Sequence, residues 1–259
     1  MKISKYILGL FAGSLLFGAC NKDVVEPFDV TYNTSEQAYV KIIHASPYRN
    51  NPVVQLKLND SRVSGNITYS TPFPGGGLNT GGSNFPYYLP VNPGSNKIAL
   101  SIQKQGTGID SIQLYATNLN LQAGKYYSVF LADTSLNTAS VILEDDMTPV
   151  TGDVSKSRFV NLIPNLAAVD LYFGTTLVAG NIPYKGASAT FTLPRAAVNQ
   201  WRIRPAGAAP TSTAIAIYPS GTTNMTIPFN KYMTVYARGY NGVTGTETRV
   251  PAISLTYHQ

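Results

Sequence analysis

The chain reads as all-β: two tandem antiparallel β-sandwich domains, of immunoglobulin or transthyretin type, behind a signal peptide. Three observations predict this. Only 12% of the 259 residues are charged, while Tyr, Thr, Ser, Asn, Gly and Pro abound; that balance disfavours long amphipathic helices and favours short strands joined by turns. Hydrophobic and polar residues alternate with period two over short runs that Asn, Gly or Pro interrupt, the pattern of a sandwich or barrel. Finally, four blocks of sequence recur in the same order. With 44% hydrophobic residues, a core is within reach of the mature chain.

Residues 1–19 differ from all that follows. Lys2 and Lys5 form a basic start, Tyr6 to Phe17 is nearly unbroken apolar sequence, and Phe17-Gly18-Ala19-Cys20 closes it. So short an apolar run ending in small residues is a signal peptide and not a membrane span. Its ending resembles the lipobox of bacterial lipoproteins, with Phe17 where Leu is commonest. That resemblance implies cleavage before Cys20, acylation of its thiol and a place in the outer membrane, facing the periplasm or the surface. Cys20 is the single cysteine, so no intramolecular disulfide forms and packing alone must stabilise both domains. Loss of the signal removes Lys2 and Lys5, so 17 of the 19 basic residues remain against 13 acids, a net charge of +4. Residues 20–35 lack hydrophobic periodicity and read as a flexible tether.

The first repeat is placed at 36–146, a linker at 147–156 and the second repeat at 157–259. Lys41-Ile42-Ile43-His44-Ala45-Ser46-Pro47 matches Arg158-Phe159-Val160-Asn161-Leu162-Ile163-Pro164 at an offset of 117. Val63-Ser64-Gly65-Asn66-Ile67 returns as Val178-Ala179-Gly180-Asn181-Ile182 at 115, and Thr117 to Leu121 and Lys125 to Phe130 return as Thr223 to Ile227 and Lys231 to Tyr236 at 106. Val54, Leu56 and Leu58 alternate with Gln55 and Lys57; Ile98, Leu100 and Ile102 repeat the pattern, as do Trp201 and Ile203 between Arg202 and Arg204. Gly65 and Gly180 should sit at equivalent turns. A short, polar, proline-bearing linker predicts that the two units pack only loosely.

The Ile42-Ile43-His44-Ala45-Ser46-Pro47 opening, the Val-x-Leu strand after it, the Gly65-Asn66-Ile67 turn and the Lys125-Tyr126-Tyr127 strand resemble the bacterial domain-of-unknown-function 4397 family. The resemblance spans residues 38–144 and, more weakly, 157–256. It implies an extracytoplasmic β-sandwich, often in tandem on lipoproteins, and it carries no catalytic residues.

No constellation of residues reads as an active site, and no cofactor or metal is expected. His44 and His258 are the only histidines. A hydrolase would need His44 as its base, because His258 stands at a terminus expected to fray; a strand-end histidine with a local hydrogen bond is the plainer reading. Glu144-Asp145-Asp146 lacks the alternating spacing of a calcium loop and reads as a solvated strand end. No Gly-Lys-Ser/Thr follows the glycine tract at Pro74 to Gly82, which excludes a nucleotide loop. The repeat offset falls from 115 to 104 across it, so the first copy carries 11 extra residues there. A rim loop accepts insertions at little cost and often carries recognition, which makes Phe73, Phe85 and Tyr87 the candidate binding residues. Residues 158–259 hold eight basic residues against two acids; Arg202 and Arg204 should point outward together and form a second candidate surface. The expected partners are a membrane through the lipid anchor and a glycan or envelope protein. Export argues against nucleic acid. The reading is a non-enzymatic envelope or surface lipoprotein that binds through rim loops, with a carbohydrate-binding lipoprotein of nutrient uptake as the alternative.

Overall fold

The computed structural model describes residues 35–104, 112–228 and 230–259; the expected signal peptide, Cys20 and the expected tether as far as residue 34 lie outside them. Among the described residues there is no α-helix, only strands and one 3-10 turn at Ser135–Asn137. Thr34–Gln259 forms one compact unit.

Each repeat is a two-sheet sandwich. In the first, the outer sheet runs β3 (Ser61–Arg62), β2 (Gln55–Leu58), β7 (Gly94–Ile102) and β8 (Ile112–Leu121). Its inner sheet runs β10 (Ala139–Asp145), β9 (Tyr126–Ala132), β1 (Ala38–Ala45) and β4 (Pro72–Phe73), with β6 (Leu89–Val91) also on β1. In the second repeat the outer sheet runs β13 (Thr176–Pro183), β12 (Ala168–Phe173), β16 (Trp201–Pro205) and β17 (Ala216–Tyr218). The inner sheet there runs β14 (Phe191–Pro194), β11 (Val154–Asn161), β19 (Tyr232–Arg238), β20 (Ala252–Tyr257) and, last, β5 (Gly77–Leu78) from the first repeat. A small ribbon of β15 (Val198–Asn199) and β18 (Met225–Thr226) completes the set.

The sequence offsets reappear as pairing registers. Lys41 lies opposite Ser128 and Arg158 opposite Thr234, which are the 117 and 106 relations. Val54 bridges Ile67 as Val169 pairs Ile182, both 115 apart, so Gly65 and Gly180 hold equivalent positions. Neither sits in the expected turn: Gly180 lies within β13 beside its register shift, and Gly65 lies between β3 and the Ile67 bridge. Ile43 pairs Pro72 and Val160 bridges Ala187, again at 115 for the partners. Beyond that point Val40 pairs Leu89 and Ser157 pairs Phe191, an offset of 102. The insertion is therefore 13 residues between 72 and 89, two more than the matching of prolines suggests. One feature departs from a wholly antiparallel sandwich: β1 runs parallel to β9, and β11 parallel to β19. Long chain segments separate the members of each pair, which is what a parallel pairing requires.

The alternating residues face where their period places them. Leu56, Ile98, Leu100, Val40, Ile42 and Val129 fill the first core, and Trp201, Ile203, Leu171, Val235 and Leu255 fill the second. Burying one such side chain contributes about 1.5–3 kcal/mol. The inner strands, however, are apolar on both faces. Ile43, Ala45, Phe130, Ala132 and Val141 turn away from the first core and meet Val160, Leu162 and Tyr236 of the second repeat in a third core. Phe130 and Tyr236 cross edge to face at 5.3 Å. The four sheets thus stack outer, inner, inner, outer, and the expected loose packing gives way to a sealed interface. The connection is also shorter than the expected 147–156: Asp145 ends β10 and Val154 begins β11.

The glycine tract is part of this seal and not a free rim loop. Leu78 and Gly77 pair with Leu255 and Thr256. The Asn79 side-chain amide donates to the Ile253 carbonyl at 2.7 Å, while the Asn79 carbonyl accepts from Ser254 Oγ at 2.7 Å and Arg238 Nη2 at 3.2 Å. A Cβ on Gly77 would lie 1.8 Å from the Leu255 carbonyl oxygen, so only glycine fits where the strap meets β20.

Candidate functional site

Four buried ionisable groups, Lys41, Asp145, Arg158 and His258, converge at the interface between the inner sheets. Asp145, at the end of β10, accepts from Ser128 Oγ and Tyr88 Oη, each at 2.7 Å, and pairs with Arg158 of β11. His258 Nε2 lies 3.6 Å from the same carboxylate and 2.7 Å from Thr234 Oγ1. Lys41 donates to the Tyr257 carbonyl and lies over the Tyr88 ring at 4.2 Å. Burial pushes the Lys41 ammonium down to about 8, against the opposing pull of Asp145. Burial likewise pushes His258 down to about 3.

The members of this cluster are repeat equivalents. Lys41 corresponds to Arg158 and Ser128 to Thr234; Asp145 and His258 stand at matching ends of β10 and β20, opposite Tyr126 and bonded to Tyr232 respectively. Ser128 serves Asp145 as Thr234 serves His258, and Lys41 caps the Tyr257 carbonyl as Arg158 caps that of Glu144. The two inner faces therefore meet about an approximate two-fold axis, in the self-complementary manner of an isologous dimer. Its charged groups are buried and bond one another, with Tyr88 half-buried at their edge, which makes it a structural cluster.

Several sequence expectations change here. His258 does not fray: it stacks on Tyr232 at 4.6 Å inside the interface. Only Glu144 and Asp146 of the acidic run are solvated, because Asp145 is sealed in. His44 is buried beside Tyr48 and Tyr69, with no hydrogen-bond partner for Nδ1, and burial pushes its imidazole down to about 4. Arg204 does not reach the surface: it lies 4.9 Å over the Tyr172 ring and donates to the Ser212 carbonyl at 3.0 Å, beneath the 206–215 loop. Arg202 is half-buried and donates to Gln200 Oε1 at 2.7 Å. The outward basic stripe is thus folded over and bonded. Phe73 packs against the first core on β4, apart from the other two aromatics. Among the described residues no three His, Cys, Asp or Glu side chains group as a metal site, and no helix is long and apolar enough to cross a membrane.

Phe85 and Tyr87 remain presented. They are 57% and 53% exposed and stack on each other at 5.4 Å, with ring planes 28° apart. Glycines hold the backbone beneath them. Gly75 has φ of +95°, and a Cβ there would lie 2.6 Å from the Phe85 carbonyl oxygen and 3.2 Å from the Tyr87 nitrogen. A Cβ on Gly76 would fall 1.6 Å from the Ser83 carbonyl oxygen. The inserted segment is thus closed on itself at residues 75–76 and 82–87 and strapped to β20 at residues 77–79. It offers a stacked, more than half-exposed aromatic pair on a fixed support.

The family model for the domain of unknown function DUF4397 matches residues 38–172, more than half of the chain, from β1 through β12. The chain belongs to this family. No curated protein matches it.

Proposed function

We propose that this member of the DUF4397 family is a non-enzymatic, lipid-anchored envelope protein that binds a glycan through Phe85 and Tyr87. The observation that carries the reading is the exposed, mutually stacked pair on a glycine-braced support. A sugar ring presents an apolar face of axial hydrogens to such a platform, and pre-organised aromatics lose little entropy on binding. Support for the anchor lies in the Cys20 lipobox, which falls outside the described residues. A role in nutrient uptake fits the same platform, since glycan capture at a membrane is its first step.

The test combines both parts of the proposal. Phe85→Ser with Tyr87→Ser should abolish binding to any glycan retained on an array, with the melting temperature unchanged because both side chains are exposed. Full-length Cys20→Ala should leave the membrane fraction, since two or three acyl chains are what make such anchoring stable. Undiminished array binding by the double variant would move the site elsewhere. Membrane retention of Cys20→Ala after a salt wash would remove the anchor.

A further inference from the structure

The two-fold relation between the inner sheets leaves one position filled on one side only. β20 has β19 along one edge and β5 along the other, with Leu78 opposite Leu255 and Gly77 opposite Thr256. The carbonyls of Ile253 and Tyr257, two residues to either side of Leu255, are also occupied, by Asn79 and Lys41. β10 is the counterpart of β20: Ile142 lies opposite Val129 as Leu255 lies opposite Val235, and Val129 and Val235 are related by 106. Ile142 thus matches Leu255, Leu143 matches Thr256, and Ser140 and Glu144 match Ile253 and Tyr257. Arg158 caps the Glu144 carbonyl and Tyr115 Oη donates to the Ser140 hydroxyl at 3.2 Å, but no described strand pairs with the outer edge at Ser140 and Ile142, where β10 ends its sheet. Leu255 is fully buried, with Leu78 packed against its core, whereas Ile142 is 43% exposed.

We infer that the outer edge of β10 is a strand-addition site for an extended segment of a partner protein, running antiparallel, with a small residue opposite Leu143 and an aliphatic one opposite Ile142. The occupant's chemistry follows from β5, which fills the equivalent edge. Its glycine is required there because a Cβ would strike the Leu255 carbonyl, and its leucine covers the residue that Ile142 replaces. Main-chain hydrogen bonds supply the affinity in this mode, and the aliphatic contact supplies the selectivity. Other edges are blunted in ways that β10 is not. β13 carries two register shifts, β14 ends in Pro194, β3 is two residues long, and β8 pairs irregularly and exposes Asn118 and Asn120. β10 pairs without a shift over seven residues and carries no charge or proline before Glu144.

The probe is a labelled peptide of the chain's own residues 75–81, added to the full chain. Without peptide, the Ile142 amide should exchange its hydrogen freely while that of Leu255 is protected; saturating peptide should slow Ile142 exchange ~10-fold or more. Ile142→Pro removes this amide, which points away from β9, so the ladder to β9 survives while peptide binding is lost. An Ile142 amide as protected as that of Leu255 in the free protein would overturn the inference. So would the absence of any peptide effect on its exchange, or full binding by a folded Ile142→Pro. Exchange in the wild-type chain decides the matter even if that variant does not fold.

Discussion

Asp145→Asn lowers the stability of the whole chain by about 3–5 kcal/mol, the expected cost of removing one partner from a buried ion pair. Asp145 is the carboxylate that pairs with Arg158 and faces Lys41 and His258 between the inner sheets. Asparagine keeps the shape but leaves Arg158 and Lys41 without a counter-charge in a place water does not reach. It also puts an N–H donor among Ser128, Tyr88 and Arg158, which all donate toward that side chain. Urea denaturation measures the loss. Replacing the pair together, Asp145→Leu with Arg158→Met, should recover part of it, because no stranded guanidinium remains. A loss below about 1 kcal/mol for Asp145→Asn would show that the cluster is solvated.

Acid should remove about 6 kcal/mol between pH 7 and pH 4, the second large effect. His44 and His258 are held neutral by burial, at about 4 and about 3, against 6.5 in the unfolded chain. Below pH 6.5 the unfolded state binds protons that the folded state refuses, so stability falls as pH falls, by ~1.4 kcal/mol per unit for each histidine. The stabilisation is whole above pH 6.5. It is lost on the way down to the folded-state values, with about 3 kcal/mol gone for each histidine at pH 4. Asp145 facing His258 softens that imidazole's cost, whereas Lys41 and Arg158 add to it. Denaturation midpoints at pH 7, 5 and 4 check this, and His44→Leu should halve the slope. A midpoint constant over that range contradicts it.

Much of the fold was legible in the sequence because its two signals are local. Period-two patterning placed Leu56, Leu100, Trp201 and Ile203 in their cores, and the offsets of 117, 115 and 106 foretold the registers of both sandwiches. The packing of one repeat on the other was legible too, in a signal that alternation obscures. Ile42-Ile43 and Val129-Phe130-Leu131-Ala132 are unbroken apolar runs, and a strand reads so only when both of its faces are buried. A linker's polarity says nothing about that. The candidate site was half legible. Exposed aromatics beside glycine gave Phe85 and Tyr87, but the same glycines also served a strap to β20, a contact some 175 residues distant in sequence. Arg204 could not be placed, since its side of β16 is roofed by a loop whose path no local pattern reveals.

A third core, a buried ionic cluster and the residue 77–79 strap join the two repeats, which should therefore unfold as one cooperative structure. Scanning calorimetry of residues 35–259 at pH 7 tests this most directly. A single transition is expected, with calorimetric and van't Hoff enthalpies that agree. Two resolved transitions, or a calorimetric enthalpy about twice the van't Hoff value, would mean that the repeats unfold independently and that the interface does not hold them together.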